Sequence, residues 1–264
     1  MKQRLDIFLT EKNFFDSRTR AQAMIMAGKV LVDGQKVDKA GTMISSDAAI
    51  KSLGEEIPFV SRGGLKLQKA LDVFKIDLLG KIAADVGAST GGFTDCMLQR
   101  GAKKVYAIDV GYGQLAWKLR QDSRVINFER TNIRNVTREN FSDDLDFISI
   151  DVAFISLEKV LPVVYDLLKD SGQVVALIKP QFEAGREHVG KRGVVREKKI
   201  HASVVEKILN FAEQLGFKIC GLDFSPVKGA DGNIEYLTHL TKNFSADIEI
   251  LSVINAAHEE LMRL

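Results

Sequence analysis

The chain has 264 residues, 45% of them apolar, with 37 Lys+Arg against 35 Asp+Glu and a formal net charge of +2. That length suits one ordinary domain plus a small one, and the even charge balance excludes a generally basic nucleic-acid coat, so any basic surface has to be local. Two cysteines, Cys96 and Cys220, lie far apart without partner spacing, which argues against a disulfide framework or zinc site and reads as two small buried apolar residues.

The N-terminal stretch MKQRLDIFLTEKNFFDSR has no apolar core of signal-peptide length, and no run of about 18 apolar residues occurs anywhere. The expected compartment is the cytoplasm. Leu5, Phe8 and Leu9 recur at helical spacing. Ser17 is placed to cap a second helix carrying Ala21, Met24, Ile25 and Met26, stopped at Gly28. VLVDGQKV follows, two alternating runs around Asp33-Gly34, which predicts a hairpin. AAIKSL reads as a closing strand, and GEEIPF (54–59) as a linker.

From Ser61 the pattern changes. A helix with Leu67, Ala70, Leu71 and Phe74 leads into strand-like runs at 82–87, 105–110, 145–151 and 174–179, with helical stretches near 91–100, 156–169 and 200–215. Such alternation predicts an α/β fold with a parallel, doubly wound sheet. GFKICGLDFS and EYLTHLT flank a Gly-rich turn and predict a closing hairpin, and 247–264 reads as an amphipathic helix.

AADVGASTGGFTD (83–95) is a strand ending at Asp85, a loop of small residues and a helix start. Gly87, Gly91 and Gly92, with Ala88, Ser89, Thr90 and Phe93, let a ligand rest on main chain at a helix N-terminus. About 20 residues on, Asp109 ends the next strand, where an acid accepts from ribose hydroxyls. The plain alternative is that the glycines only shape a turn and Asp109 only caps a loop. This block resembles the cofactor site of Rossmann-like S-adenosylmethionine-dependent methyltransferases. The resemblance implies S-adenosyl-L-methionine as cofactor, with Asp85 and Asp151 among its contacts, and puts Asn132 where an acid often contacts the adenine, a departure from that pattern.

Four polar residues sit at element ends: Lys66 at the first helix, Asp151 and Lys179 closing two strands, and Glu235 opening EYLTHL. Ligands of open α/β sheets bind at the carboxyl ends of the strands, so the topology makes these residues converge. A ribose 2′-hydroxyl is a poor nucleophile until its proton is removed. A lysine removes it only if burial and a second ammonium bring its pKa down to about 7–8; carboxylates placed too close raise it instead. Lys179 reads as the base, with Lys66 assisting. The set matches the Lys-Asp-Lys-Glu tetrad of FtsJ-like ribose 2′-O-methyltransferases, a resemblance running from Ser61 onward. Amino-group methylation would favour Asn/Asp-Pro-Pro-aromatic where this chain has DVAF, and cytosine C5 methylation would need a cysteine there.

Two segments point to RNA. RLDIFL followed by SRTRAQAMIMAGKVLVDGQKV resembles the S-four-like RNA-binding domain, a small α+β module, with Arg4, Arg18, Arg20 and Lys29 as candidate phosphate contacts. The segment 185–199 holds six Lys/Arg against two Asp/Glu. It reads as a mobile basic loop beside the reaction centre, with Arg186, Lys191 and Arg192, and also Arg62, as phosphate contacts. His188 and His201 read as solvated, and no metal site is expected. Tyr112 and Trp117 could equally pack on the cofactor or the core.

Taken together, residues 1–57 are expected to form the S-four-like domain and 58–264 the FtsJ-like domain, an arrangement that resembles the TlyA family. That resemblance implies 2′-O-methylation of ribosomal RNA, with cytidine as target and ribosomal RNA or a ribosomal subunit as partner. Two rival readings are a haemolysin-like membrane-active protein and a non-catalytic ribosome-assembly factor. The sequence leaves the oligomeric state open.

Overall fold

In the computed structural model the chain divides into two units, Met1–Glu56 and Ile57–Leu264. The structure describes residues 2–12, 14–15, 18–52 and 58–261, and the side chains of Arg20, Ser52 and Ala230 are also outside the description. Ser17 as a cap, Arg20 as a phosphate contact and most of the 54–59 linker therefore lie outside the described residues.

The first unit runs β1 (Lys2–Arg4), α1 (Leu5–Glu11), α2 (Arg18–Met26), β2 (Val30–Val32), β3 (Gln35–Val37), β4 (Met43–Ser45) and β5 (Ile50–Ser52). The Asp33-Gly34 turn pairs β2 with β3, and β5 pairs with the other edge of β2, both antiparallel. Too short to show periodicity, β1 and β4 were not legible in the sequence, yet they pair with each other. Leu5, Phe8 and Leu9 of α1 pack with Ala21, Ile25, Val30, Val32 and Ile44.

In the second unit, α3 (Gly63–Val73) is followed by β6 (Ile82–Val86), α4 (Gly92–Gln99), β7 (Lys104–Ile108), α5 (Trp117–Arg120), β8 (Val125–Phe128) and β9 (Leu145–Ile150). Next come α6 (Leu161–Leu167), β10 (Leu168–Ile178), α7 (Pro180–Glu183), α8 (Lys198–Gln214), β11 (Lys218–Phe224), β12 (Tyr236–Thr241) and α9 (Ile250–Leu261). Seven strands form one sheet in the order β11-β12-β10-β9-β6-β7-β8. β6 to β10 are parallel, and β12 inserts antiparallel between β10 and β11, as the predicted hairpin requires.

Period-2 alternation divides the core over the two faces of this sheet. Ala84, Tyr106, Ile148 and Ala176 face the side covered by α6, α8 and α9. Ala83, Val105, Phe147 and Val175 face α3 and α4. The helix expected near 156–169 begins late, because a single 3₁₀ turn at Leu157–Lys159 precedes Pro162 in the first turn of α6. β8 was missed because it is only four residues long and none of them is fully buried, Ile126 and Asn127 being exposed. Among the described residues no helix is long and apolar enough to cross a membrane.

Candidate active site

The parallel register brings three loops to one rim. Ile150 pairs with both Val86 and Ala176, and Ile178 pairs with Tyr236. The next residue of each strand, Asp151 and Lys179, and the residue before β12, Glu235, therefore leave the sheet at the same edge. α3 lies across that edge, and burial of Leu67, Ala70 and Leu71 on the sheet turns Lys66 towards it.

The four side chains form a chain of alternating charge. Lys179 Nζ lies 2.5 Å from Asp151 Oδ1. Lys66 Nζ lies 3.8 Å from Asp151 Oδ2 and donates to Glu235 Oε2 at 2.6 Å. Gln181 Nε2 donates to the other oxygen of Glu235 at 3.4 Å. Burial, the largest single influence on Lys66, disfavours its charge, but Asp151 and Glu235 together outweigh it and hold the ammonium above the ordinary lysine range. The neighbouring carboxylates thus favour the charged form of Lys66. Two carboxylates flank it, whereas Lys179 has one.

Beside this chain lies a cleft of about 490 Å³ lined by Gly87, Ala88, Ser89, Thr90, Gly92 and Phe93 together with Arg62, Phe154, Gln181, Lys228 and all four tetrad residues. Its floor is main chain. Gly87 has φ +88°, and a β-carbon there would stand 2.5 Å from the Asp151 carbonyl oxygen. One on Gly92 would run into Ser61 Oγ and stand 2.9 Å from the amide of Gly64. Only glycine allows so close an approach.

Three of the expected cofactor contacts turn out differently. Asp85 is fully buried, with Oδ2 accepting from the amide and hydroxyl of Thr94 at 2.8 and 2.7 Å and Oδ1 from Ser149 at 3.2 Å. It satisfies an N-terminal amide of α4 and ties that helix to β6, so it positions the loop rather than lining the cleft. Burial pushes its carboxyl up to about 7. Gly91 faces Leu115 and Leu119 and serves packing. Asn132 caps its own 3₁₀ turn, accepting from the Arg134 amide at 3.1 Å. Asp109 accepts from Ser89 and Gly111 amides, each at 2.7 Å, which fixes the glycine loop and leaves further lone pairs on both oxygens.

Phe154 had no sequence signal beyond DVAF. It adopts φ +61°, uncommon for a bulky residue, and is 90% exposed at the mouth of the cleft. Its ring packs on Phe182 with centroids 5.0 Å apart. Glu183 secures the same loop by accepting from the Leu157 amide at 2.8 Å. Trp117 and Tyr112 are 71% and 69% exposed, so neither packs in the core, and Arg130 covers the Tyr112 ring at 4.3 Å.

The cationic candidates separate into two kinds. Arg62, Arg186, Lys191 and Arg192 are exposed and, among the described residues, lack an ion-pair partner; Lys29 is exposed as well. Arg4 and Arg18 both bind the buried Asp6, at 3.0 and 2.9 Å, and hold it ionised well below the usual carboxylate range. His188 is exposed, but His201 is buried, contrary to expectation, because His258 from α9 and Tyr236 from β12 close over it. Cys96 is buried and Cys220 half-buried. No cluster that could hold a metal occurs among the described residues.

Comparison with known proteins agrees with this architecture. The FtsJ-like methyltransferase family matches residues 59–242, and the S4 domain matches residues 3–50. YqxC of Bacillus subtilis is 48% identical over 98% of this chain and 95% of its own length. The 16S/23S rRNA (cytidine-2'-O)-methyltransferase TlyA of Mycobacterium tuberculosis is 40% identical over 98% of this chain and 97% of its own. A solved structure from Streptococcus thermophilus, carrying a hemolysin label, superposes with TM-score 0.80 at 48% identity, covering 99% of this chain and 98% of that one. The chain therefore belongs to the FtsJ-like methyltransferases and, with an S4 domain ahead of that fold, to the TlyA family among them.

Proposed function

We propose that the protein transfers a methyl group to a ribose 2′-hydroxyl of ribosomal RNA, with cytidine as the target nucleoside. The observation that carries this reading is the alternating Lys179–Asp151–Lys66–Glu235 chain beside a glycine-floored cleft. S-adenosylmethionine fits the site: the glycine loop leading into α4 lines the cleft, and Ser89, Thr90 and Asp109 offer polar groups for an amino acid and a ribose. When bound it supplies an electrophilic methyl carbon.

The chain's own residues supply the rest. In its uncharged form Lys179 Nζ is the group that takes the 2′-hydroxyl proton, and Asp151, 2.5 Å away, orients it. Lys66, kept charged, faces the negative charge that grows on the oxygen. Phe154, fully displayed beside Lys179, offers a face on which the target base stacks. Arg62 and Lys228 line the same cleft and suit flanking phosphates. The S4 domain adds affinity for structured RNA by tethering. Cytidine rests on the name of the 40% identical relative.

The test is ribosomal RNA from cells with and without the gene, compared by mass spectrometry. Loss of one ribose methyl group of about 14 daltons is expected; identical maps would defeat the reading. In vitro, Lys179→Met is expected to lower single-turnover transfer roughly 10²–10⁴-fold with cofactor affinity nearly intact.

A further inference from the structure

Val195, in the basic loop, has its side chain buried and both main-chain polar groups taken by side chains. Its N–H donates to Asn233 Oδ1 at 3.2 Å, and its carbonyl pairs with His201 Nε2 at 2.9 Å. The same Asn233 amide donates from Nδ2 to the Gly193 carbonyl at 2.9 Å. One side chain thus grips the loop at two residues, and the stretch closes on itself through Gly193 N–H to Gly190 O at 2.8 Å. The loop expected to be mobile is pinned at this end.

The other end of the grip is Glu235. Asn233 stands two residues before it and accepts from the Gly229 amide at 2.9 Å. Gly229 packs so closely on the Glu235 carboxylate that a β-carbon there would collide with Oε1. Tyr236, the next residue, is 2.7 Å from His201 Nδ1. A carbonyl can only accept, so neutral His201 carries its proton on Nε2 and Nδ1 accepts from the Tyr236 hydroxyl. His258 Nε2 lies 3.2 Å from that same nitrogen. Glu235 is therefore bracketed by the two residues that lead to Val195.

We propose that Asn233 and His201 are positioning residues that couple the basic loop to Glu235. An RNA phosphate held by Arg186, Lys191 or Arg192 then sets where the ribose lies relative to the tetrad. The inference rests on the proposed ribose methylation. Free lysines and arginines on an untethered loop would add affinity but no register, and transfer is sensitive to misplacement of about 1 Å.

The experiment is a double-mutant cycle between Asn233→Ala and the pair Lys191→Ala/Arg192→Ala. Single-turnover rates are read at saturating RNA, with cofactor affinity and unfolding midpoint measured alongside. In the wild-type background, loss of the two charges is expected to lower the rate about tenfold, and in the Asn233→Ala background by less than about twofold. Independent, multiplying effects would overturn the coupling, as would a change in KM alone. Should Asn233→Ala not fold, Asn233→Asp keeps the acceptor for Val195 and loses the donor to Gly193, and the same non-additivity is expected. Amide hydrogen exchange at Val195 needs no activity: Asn233→Ala should speed it at least tenfold, and unchanged protection sinks the clamp. A wild-type protein that transfers no methyl to ribosomal RNA would instead defeat the functional reading and leave the exchange result to decide the clamp.

Discussion

The main chain of Gly87 presses directly on that of Asp151, leaving 2.5 Å between the carbonyl oxygen and the place a β-carbon would take. The cofactor loop and the tetrad thus share one contact. Gly87→Ala must both clash there and strain a φ of +88°, at a combined cost of roughly 2–4 kcal/mol. A urea midpoint shifted down by that amount, with methyl transfer lost, is expected. Wild-type stability and rate would show that the loop gives way without cost.

Glu235→Gln removes the closest partner of a buried ammonium. Breaking a buried pair typically costs about 3–5 kcal/mol, but Asp151 still stands 3.8 Å from Lys66, so a smaller loss of about 1–3 kcal/mol is expected. Activity should fall with cofactor affinity kept. An equal fall in cofactor affinity would mean that Glu235 shapes the cofactor pocket rather than the ribose site.

Phe154→Ala is expected to weaken RNA engagement by the worth of one base–aromatic stack, about 1–3 kcal/mol, while the fold is untouched because the ring is 90% exposed. Phe154→Trp should restore it. Equal RNA affinity and rate in all three proteins would remove the ring from the site.

Acid should destabilise the protein between pH 7 and 5. Burial holds His239 and His258 down at about 4, His258 helped by His201 and Lys198, and burial also lowers His201. The unfolded chain takes up these protons near pH 6.5, so their contribution is present above that pH and lost as it falls towards 4. Asp85 acts oppositely: burial raises it to about 7, so its contribution is whole below 3.8 and fades as pH rises through 7. Glu183, also raised by burial, acts in the same sense as Asp85, and the three histidines are expected to outweigh these two carboxyls. Urea midpoints should fall from pH 7 to 5, less steeply in His258→Asn and more steeply in Asp85→Asn; parallel profiles would rule out these groups as the cause.

How legible was this in the sequence? Buried, mostly apolar runs of about five residues, such as β6 and the 174–178 end of β10, declared themselves, whereas the polar first half of β10 did not. The rim convergence of Asp151, Lys179 and Glu235 followed from strand ends and a hairpin, and Lys66, on a helix, joined them through the tetrad resemblance. What stayed hidden depended on tertiary geometry. The burial of His201 comes from His258, 57 residues away. The inward turn of Asp85 depends on Thr94 reaching back to it. The outward display of Phe154 needs a positive φ that no residue type announces. The loop at 185–199 read as free because charge and glycine suggest solvent, and the single amide of Asn233 that restrains it resembles any other turn asparagine.

Glu235 comes immediately before β12, the penultimate element, while the glycine loop and the other three tetrad residues are complete by position 179. A chain cut off ahead of Glu235 would keep the glycine loop, yet would leave Lys66 without its nearest counter-ion and β10 with a bare edge. The chain of alternating charge is thus completed only when the last strand slots in.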